Sequence, residues 1–216
     1  MKILIVGNGG RESAIAQKIS SDSRTAELYF ANGNATTQEL GKNVHITDIK
    51  EIRAFAEKEK IDLTIVGPEA PLVEGIVEEF KENGLRIFGA KSRAAQLEGS
   101  KSFSKKFMQK YNVKTADAQI FDSYKEAVEY LKGKTFPIVI KASGLAGGKG
   151  VVICDNFETA EATLHSFMIK KIYGDSGIRV VIEDYLKGFE ASIIAFSNGK
   201  KLFPCIPVKD YKKVGN

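Results

Sequence analysis

The sequence predicts an α/β fold in two parts, a parallel-sheet unit over residues 1–98 followed by a mixed α+β unit over residues 99–216. Three observations predict this. Short apolar runs alternate with helical periods up to Phe88, which is a βα rhythm. The first such runs end in Gly7, Gly33 and Gly67, so three small-residue loops meet at the carboxyl edge of one sheet, where open α/β sheets take ligands. Beyond Gly99, two short β-branched runs flank a glycine-rich loop, and such strand-to-strand spacing belongs to an antiparallel layer.

In order, Ile3 to Val6 reads as a strand and Ser13 to Ile19 as the helix after it. Leu28 to Ala31 is a second strand. Asp48-x-x-Glu51 has capping-box character before Ile49, Ile52 and Phe55, whose helical spacing packs a helix over 49–57 on the sheet. Leu63 to Val66 is a strand, Ile76 to Phe80 a helix and Arg86 to Phe88 a strand. The second unit opens with a helix from Ser100 to Tyr111 and a strand from Ala118 to Phe121. Ser123-x-x-Glu126 then caps a helix carrying Ala127, Tyr130 and Leu131. Phe136 to Ile140 and Val151 to Cys154 are the strands around the loop, and a helix runs from Phe157 to Met168. Ile178 to Glu183 and Ala191 to Phe196 are strands, and Asn198-Gly199 is a two-residue hairpin signal leading to a strand over Lys201 to Val208. The sequence stops just past that strand without a closing helix, as a cut chain would.

At 216 residues the chain suits one or two domains, and the change of pattern at Gly99 favours two. Its 32 basic and 27 acidic residues leave a net charge of +5, spread along the chain and not gathered with aromatics into a basic block. A nucleic-acid partner is therefore not indicated. Cys154 and Cys205 lie in apolar runs and read as buried thiols of a reducing compartment. His45 and His165 have no partner at metal-ligand spacing, so the sequence predicts no metal site of its own. The opening apolar run is too short for a signal-peptide core, and no stretch reaches the roughly 18 apolar residues of a membrane span. A cytoplasmic protein without membrane contact is expected.

The loop Lys141-Ala142-Ser143-Gly144-Leu145-Ala146-Gly147-Gly148-Lys149-Gly150 carries the strongest chemical signal. A lysine ending an apolar strand is costly to bury unless an anion meets it, and closely spaced glycine amides can follow a polyphosphate. It is not a P-loop: the spacing is wrong, Gly150 stands where Ser or Thr should be, and a strand follows. A flap over phosphates fits; a flexible glycine hairpin without a ligand competes. Gly7-Asn8-Gly9-Gly10-Arg11-Glu12 opens a helix whose first amides could hold a phosphate. Glu12 and Asn32 stand where a dinucleotide site needs glycine and an acid, so a sugar phosphate or a plain tight turn suits better. Gly67-Pro68-Glu69-Ala70-Pro71-Leu72 reads as a proline-stiffened loop holding Glu69 at the same edge, or as a turn with a solvated glutamate. Lys105 reads as an ordinary surface lysine. Glu183 to Glu190 links two strands, and such a hinge could read an adenine edge while Glu190 accepts from a ribose diol, with a solvated turn as the alternative.

Together the segments 7–12, 67–72, Gln96-Leu97-Glu98-Gly99-Ser100-Lys101, the flap and 183–192 resemble the phosphoribosylamine–glycine ligase (glycinamide ribonucleotide synthetase) family of the ATP-grasp superfamily. The resemblance runs over essentially the whole chain, in order. It implies a Rossmann-like, pre-ATP-grasp domain over 1–98 and an ATP-grasp region over 99–216. Within the latter, a lid would span approximately 115–186 and the core would be only partial, with about the second half of the enzyme absent. It also implies a reaction in which ATP activates the glycine carboxylate as glycyl phosphate, which the amine of 5-phosphoribosylamine attacks to give glycinamide ribonucleotide, ADP and phosphate.

By the same resemblance, Lys105 and Lys141 would contact ATP phosphates, with Ser143, Gly144, Gly147, Gly148 and Lys149 closing over them. Glu183, Asp184, Tyr185 and Leu186 would hold the adenine and Glu190 the ribose. Gly9, Gly10, Arg11, Glu12, Asn34, Gly67, Pro68 and Glu69 would lie on the phosphoribosylamine side, with Asp210 and Lys212 near the reacting groups. No side chain reads as a covalent nucleophile, so catalysis would be positioning and charge neutralisation. The family's Mg²⁺ ligands would follow Asn216. Ser13, Asn32, Ser143 and Tyr211 depart from the family's usual His, Pro, Asp and His. Another ATP-grasp carboxylate–amine ligase, or a non-catalytic nucleotide- or sugar-phosphate-binding module, is the alternative reading.

Overall fold

The fold is given by a computed structural model that describes residues 1–211. Its first part contains β1 (Lys2–Val6), α1 (Gly10–Ser20), β2 (Glu27–Ala31), α2 (Ala35–Leu40), β3 (Lys42–Val44), α3 (Ile49–Lys58), β4 (Leu63–Val66), α4 (Glu69–Glu74), α5 (Ile76–Glu82), β5 (Ile87–Phe88) and α6 (Ser92–Gly99). The five strands pair in parallel in the order β3-β2-β1-β4-β5. Side chains alternate between the two faces of a strand. Ile3, Ile5, Leu28 and Phe30 therefore pack under Ala16 of α1. Leu4, Val6, Tyr29, Ala31 and Val66 pack instead against Ile52, Ala56, Ile76, Val77 and Phe80 of α3 and α5. Burial on both faces is why β1 and β2 read as unbroken apolar runs. The strand order reverses between β1 and β4, so the loops after them lie side by side at the switch point.

The second part contains α7 (Lys101–Lys110), β6 (Ala118–Phe121), α8 (Tyr124–Leu131), β7 (Ile138–Ala142), β8 (Val151–Cys154), α9 (Phe157–Leu164) and β9 (Val180–Asp184). A π-helical turn at His165–Ile169 and a 3₁₀ turn at Gly174–Gly177 come between α9 and β9. The four strands form an antiparallel sheet, β6-β9-β7-β8. Ile138, Ile140, Ala142, Val180 and Ile182 face α8 and α9 in its core. Period-two alternation then turns Lys141 and Glu183 to the opposite face, and the register places Glu183 beside Val139, two residues from Lys141 on the neighbouring strand. Two short antiparallel pairs follow: β10 (Glu190–Ser192) with β13 (Val208–Asp210), and β11 (Ala195–Ser197) with β12 (Leu202–Pro204).

Several expectations are corrected. The segment from Glu69 is a helix and not a stiffened loop: Pro68 is its N-cap and Pro71 sits in the first turn, where a missing N–H costs nothing. Helices α2 and α6 and strand β3 occupy stretches without a clear period. Helix α2 starts because the Asn34 side chain accepts from the Thr37 N–H, a cap that hydrophobic periodicity does not register. The helix from Phe157 is regular to Leu164 and then π-helical, and β9 begins at Val180 because the 3₁₀ turn precedes it. Asn198-Gly199 does turn the chain, but within a four-residue connection, 198–201, in which the Asn198 side chain accepts from the Lys200 and Lys201 N–H groups at 3.0 and 2.8 Å. The runs around it are each broken into two strands. Cys154 is buried as expected, whereas Cys205 is exposed. It lies in a stretch where Phe189, Ile193, Ile194, Leu202, Phe203 and Ile206 are exposed too, with no helix layered over them among the described residues.

Candidate functional site

At the carboxyl edge of the parallel sheet, Gly7 adopts φ of +122° and the chain turns sharply into α1. Glu12, only 3 % exposed, accepts from the Gly9 N–H at 2.6 Å. A Cβ on Gly67 would overlap the Glu12 carboxylate, and one on Gly7 would lie 2.7 Å from the Pro68 ring, so the two loops touch through glycine. Arg11 reaches across, donating from Nη1 to the Gly67 carbonyl at 2.5 Å. Asn34 Nδ2 donates to the Asn8 carbonyl at 2.8 Å and to Ser13 Oγ at 3.1 Å. The fold thus brings Gly9, Gly10, Arg11, Asn34, Gly67, Pro68 and Glu69 to one edge. Glu12 is there as well, but its carboxylate turns inward and braces the loops.

The flap joins β7 to β8, strand to strand, as its flanks predict. Beneath it lies a cleft of about 240 Å³ lined by Glu98, Lys101, Lys105, Lys141 and Glu183 among others. Lys141 Nζ donates to Glu183 Oε2 at 2.9 Å, so the anion that meets this strand-end lysine is a carboxylate of the next strand. Lys105 is not a surface lysine. It is 4 % exposed, because α7 packs over the polar face of the sheet, and its ammonium lies 3.4 Å from Glu183 Oε2. It also donates to Thr115 Oγ1 at 2.5 Å and to the Ala116 carbonyl at 3.0 Å. Ser143 is buried and donates to Ser102 Oγ at 2.8 Å, tying the base of the flap to the start of α7. That use of its hydroxyl was not legible from the loop alone.

Lys101 was missed as a site residue, although it stands one helical turn before Lys105 and so shares its face of α7. It is half-buried; its N–H donates to the Ser143 carbonyl at 2.7 Å and its ammonium to the Gly144 carbonyl at 3.1 Å. Burial holds its pKa below the usual lysine value; Glu98 and Glu69 oppose that, and the like charge of Lys141 adds to it. In the hinge, the Asp184 N–H donates to the Asp117 carbonyl at 3.0 Å and its carboxylate lies 3.5 Å from Lys134. Tyr185, Leu186 and Glu190 are exposed, and Glu190 stands opposite Asp210 in the β10–β13 register. Lys212 lies outside the described residues.

The flap is better anchored than its glycines suggest. The Tyr173 hydroxyl donates to the Lys149 carbonyl at 2.7 Å and the Gly144 N–H to the Ser176 carbonyl at 3.0 Å, while Gly147 and Gly148 take left-handed φ values of +55° and +76°. Tyr173→Phe removes one latch worth about 1 kcal/mol. Amides 146–149 are expected to exchange severalfold faster with solvent in that variant, by hydrogen-exchange mass spectrometry, with Leu63–Val66 unchanged. Equal exchange in both proteins would mean that the latch holds nothing.

Comparison with known proteins accords with this geometry. A model of the phosphoribosylglycinamide synthetase N domain matches residues 1–98, and one of the ATP-grasp (A) domain of the same synthetase matches residues 99–216. The chain belongs to the phosphoribosylglycinamide synthetase family. Among its relatives are the phosphoribosylamine–glycine ligases of Clostridium acetobutylicum, 54 % identical over 216 residues, and of Escherichia coli K12, 47 % identical over 220 residues. These alignments take in 99 % and 100 % of this family member and 52 % and 51 % of the relatives, so the chain spans about half their length. The crystal structure of the Thermotoga maritima phosphoribosylamine–glycine ligase superposes with a TM-score of 0.78 at 32 % identity, covering 99 % of this chain and 51 % of that one. The N5-carboxyaminoimidazole synthetase of Staphylococcus aureus complexed with ADP has a TM-score of 0.73 at 16 % identity, covering 98 % of this chain and 55 % of that one. At that identity only the fold is shared.

Proposed function

We propose that these residues form the ATP cleft and the phosphoribosylamine edge of a cytoplasmic ligase that joins glycine to 5-phosphoribosylamine. The reading divides the chain into domains at 1–98 and 99–216, with a lid over about 115–186. The observation that carries it is the meeting of three lysines in one cleft at the base of a glycine flap: Lys105 and Lys141 pair with Glu183, and Lys101 bonds to the Gly144 carbonyl. Three lysines and two carboxylates, Glu98 and Glu183, line that cleft, and the cationic excess suits a polyanion. In this reading Lys105 and Lys141 meet ATP phosphates and 143–150 cover them. The hinge 183–186 takes the adenine and Glu190 the ribose. The Gly9–Arg11, Asn34 and Gly67–Glu69 corner takes the phosphoribosyl group, Glu12 holding that corner in shape, and Asp210 and Lys212 approach the reacting groups.

Carboxylates need activation because an oxyanion repels nucleophiles and leaves badly. The terminal phosphoryl group of ATP passes to a glycine oxygen and ADP leaves with the bridging electron pair. The amine then attacks the carbonyl carbon, loses a proton, and phosphate departs. The chain's contribution is orientation and charge neutralisation. Among the described residues no group of three or more His, Cys, Asp or Glu side chains is placed to hold a metal ion, and no step is routed through Mg²⁺. Nor, among them, is any helix long and apolar enough to cross a membrane.

The test is coupled detection of ADP from a polypeptide that contains these residues at the length of its relatives, supplied with ATP, Mg²⁺, glycine and freshly generated phosphoribosylamine. ADP release that requires both glycine and the amine is expected. Release that instead follows another acid and amine pair would favour a different ATP-grasp ligase; binding of ATP without any release would favour the module without turnover.

A further inference from the structure

The three lysines of the cleft are not equivalent. An ammonium has three donors. Lys105 directs its own to Thr115, Ala116 and the side of Glu183, so it is saturated and buried. Lys141 is paired with the same carboxylate. Lys101, at the mouth of the cleft, donates to a neutral acceptor, the Gly144 carbonyl, among the described residues. It also differs in position: Gly99, two residues before it, packs against Val73 of α4, while its own ammonium reaches Gly144 of the flap, so it stands between α4 and the nucleotide cleft, with Glu98 the strongest of the charges around it and Lys141 and Glu69 weaker.

We propose that Lys101 binds the phosphoryl group in transit, neutralising its equatorial oxygens while it moves from the bridging oxygen of ATP to the carboxylate oxygen of glycine. This rests on the ligase reading above. A cation with spare donors at the seam between nucleotide and acceptor meets charge where charge moves, whereas Lys105 and Lys141 are already partly neutralised by Glu183. Partial burial strengthens that attraction, because the ammonium has given up some of its water and regains solvation from an arriving anion.

Two experiments on the relative-length enzyme test it. Lys101→Gln keeps a donor for the Gly144 carbonyl but removes the charge, and Lys101→Arg restores the charge. Glycine-dependent kcat is expected to fall about 10²-fold in the Gln variant, the usual cost of one group that stabilises developing negative charge. The ATP Kd should change less than threefold, and the Arg variant should recover at least part of kcat. In the unaltered enzyme, an amine-reactive reagent followed by peptide mapping should find Lys101 protected by β,γ-imido-ATP and not by ADP, a readout that survives even if the Gln variant does not fold. A Gln variant with kcat within threefold of the parent, a parallel loss of ATP affinity and kcat, or equal protection by ADP would each overturn the role of Lys101. If the unaltered enzyme releases no glycine-dependent ADP, the ligase reading itself falls, and the role of Lys101 with it.

Discussion

A polypeptide of these 216 residues alone is expected to release ADP, in the presence of glycine and phosphoribosylamine, at least about 10³-fold more slowly than a relative-length enzyme. The reason is charge. Phosphoryl transfer spreads negative charge over the moving group, and a metal ion supplies several kcal/mol of its neutralisation. In the cleft three lysines are offset by two carboxylates, Glu98 and Glu183, which leaves little net positive charge against a polyphosphate, and among the described residues no group of three or more His, Cys, Asp or Glu side chains is placed to hold a metal ion. Lys101, Lys105 and Lys141 alone should still give measurable ATP affinity. The same polypeptide should self-associate, because Phe189, Ile193, Ile194, Phe203 and Ile206 form exposed apolar surface beside two short sheets. ADP detection and light scattering on the isolated polypeptide check both statements. Turnover near that of the longer enzyme would defeat the first, and a monodisperse monomer at high concentration the second.

Glu183→Ala is expected to destabilise the fold by about 3 to 5 kcal/mol, the usual result of removing one partner from a buried ion pair. The side chains of Lys105 and Glu183 are only 5 % and 7 % exposed, and Lys141 leans on the same carboxylate oxygen. Without Glu183, the Lys105 and Lys141 ammonium groups would lose their shared counter-charge, and Lys105, 5 % exposed, would gain little water in exchange. The pair Lys132–Glu129 is a useful contrast: 61 % and 70 % exposed, it should cost well under 1 kcal/mol to break. For a chain of this size the Glu183 loss corresponds to a fall in Tm of roughly 6 to 20 °C. The double variant Glu183→Leu with Lys105→Met should recover much of it, because the buried charge of Lys105 goes with its partner and the remaining Lys141 is 27 % exposed. A Glu183→Ala protein within 1 kcal/mol of the parent in urea titration would show that the carboxylate does not hold the lysines.

Much of this was readable in the residues themselves. The unbroken apolar runs of β1 and β2 announce strands covered on both faces, and Asp48 announces α3, whose first amides it caps at 2.9 and 3.0 Å. The flap was legible because β-branched residues stand on both sides of it. What escaped notice depended on partners distant in sequence. Lys105 reads as a surface residue within its own helix; only the approach of Glu183, seventy-eight positions later in the numbering, makes it buried. Ser143 looks free to meet a phosphate until α7 brings Ser102 against it. The short helix α2 carries no apolar period, and α4 begins in what proline content suggests is a loop. Periodicity reports burial against a large neighbour; it is silent on side chains that bond to a backbone brought from elsewhere.

The packing of Glu12 against Gly7 and Gly67 bears on how this corner can diverge among descendants of one ancestor. The glutamate fills the volume that a methyl group at position 67 would need, so Ala at 67 forces the Glu12 carboxylate out of its place. Shortening position 12 would in turn strip the Gly9 N–H of its acceptor. Each replacement made first carries a cost, and the two sites should therefore drift as a linked pair, held together over long evolutionary times by steric crowding on one side and an unmet amide on the other.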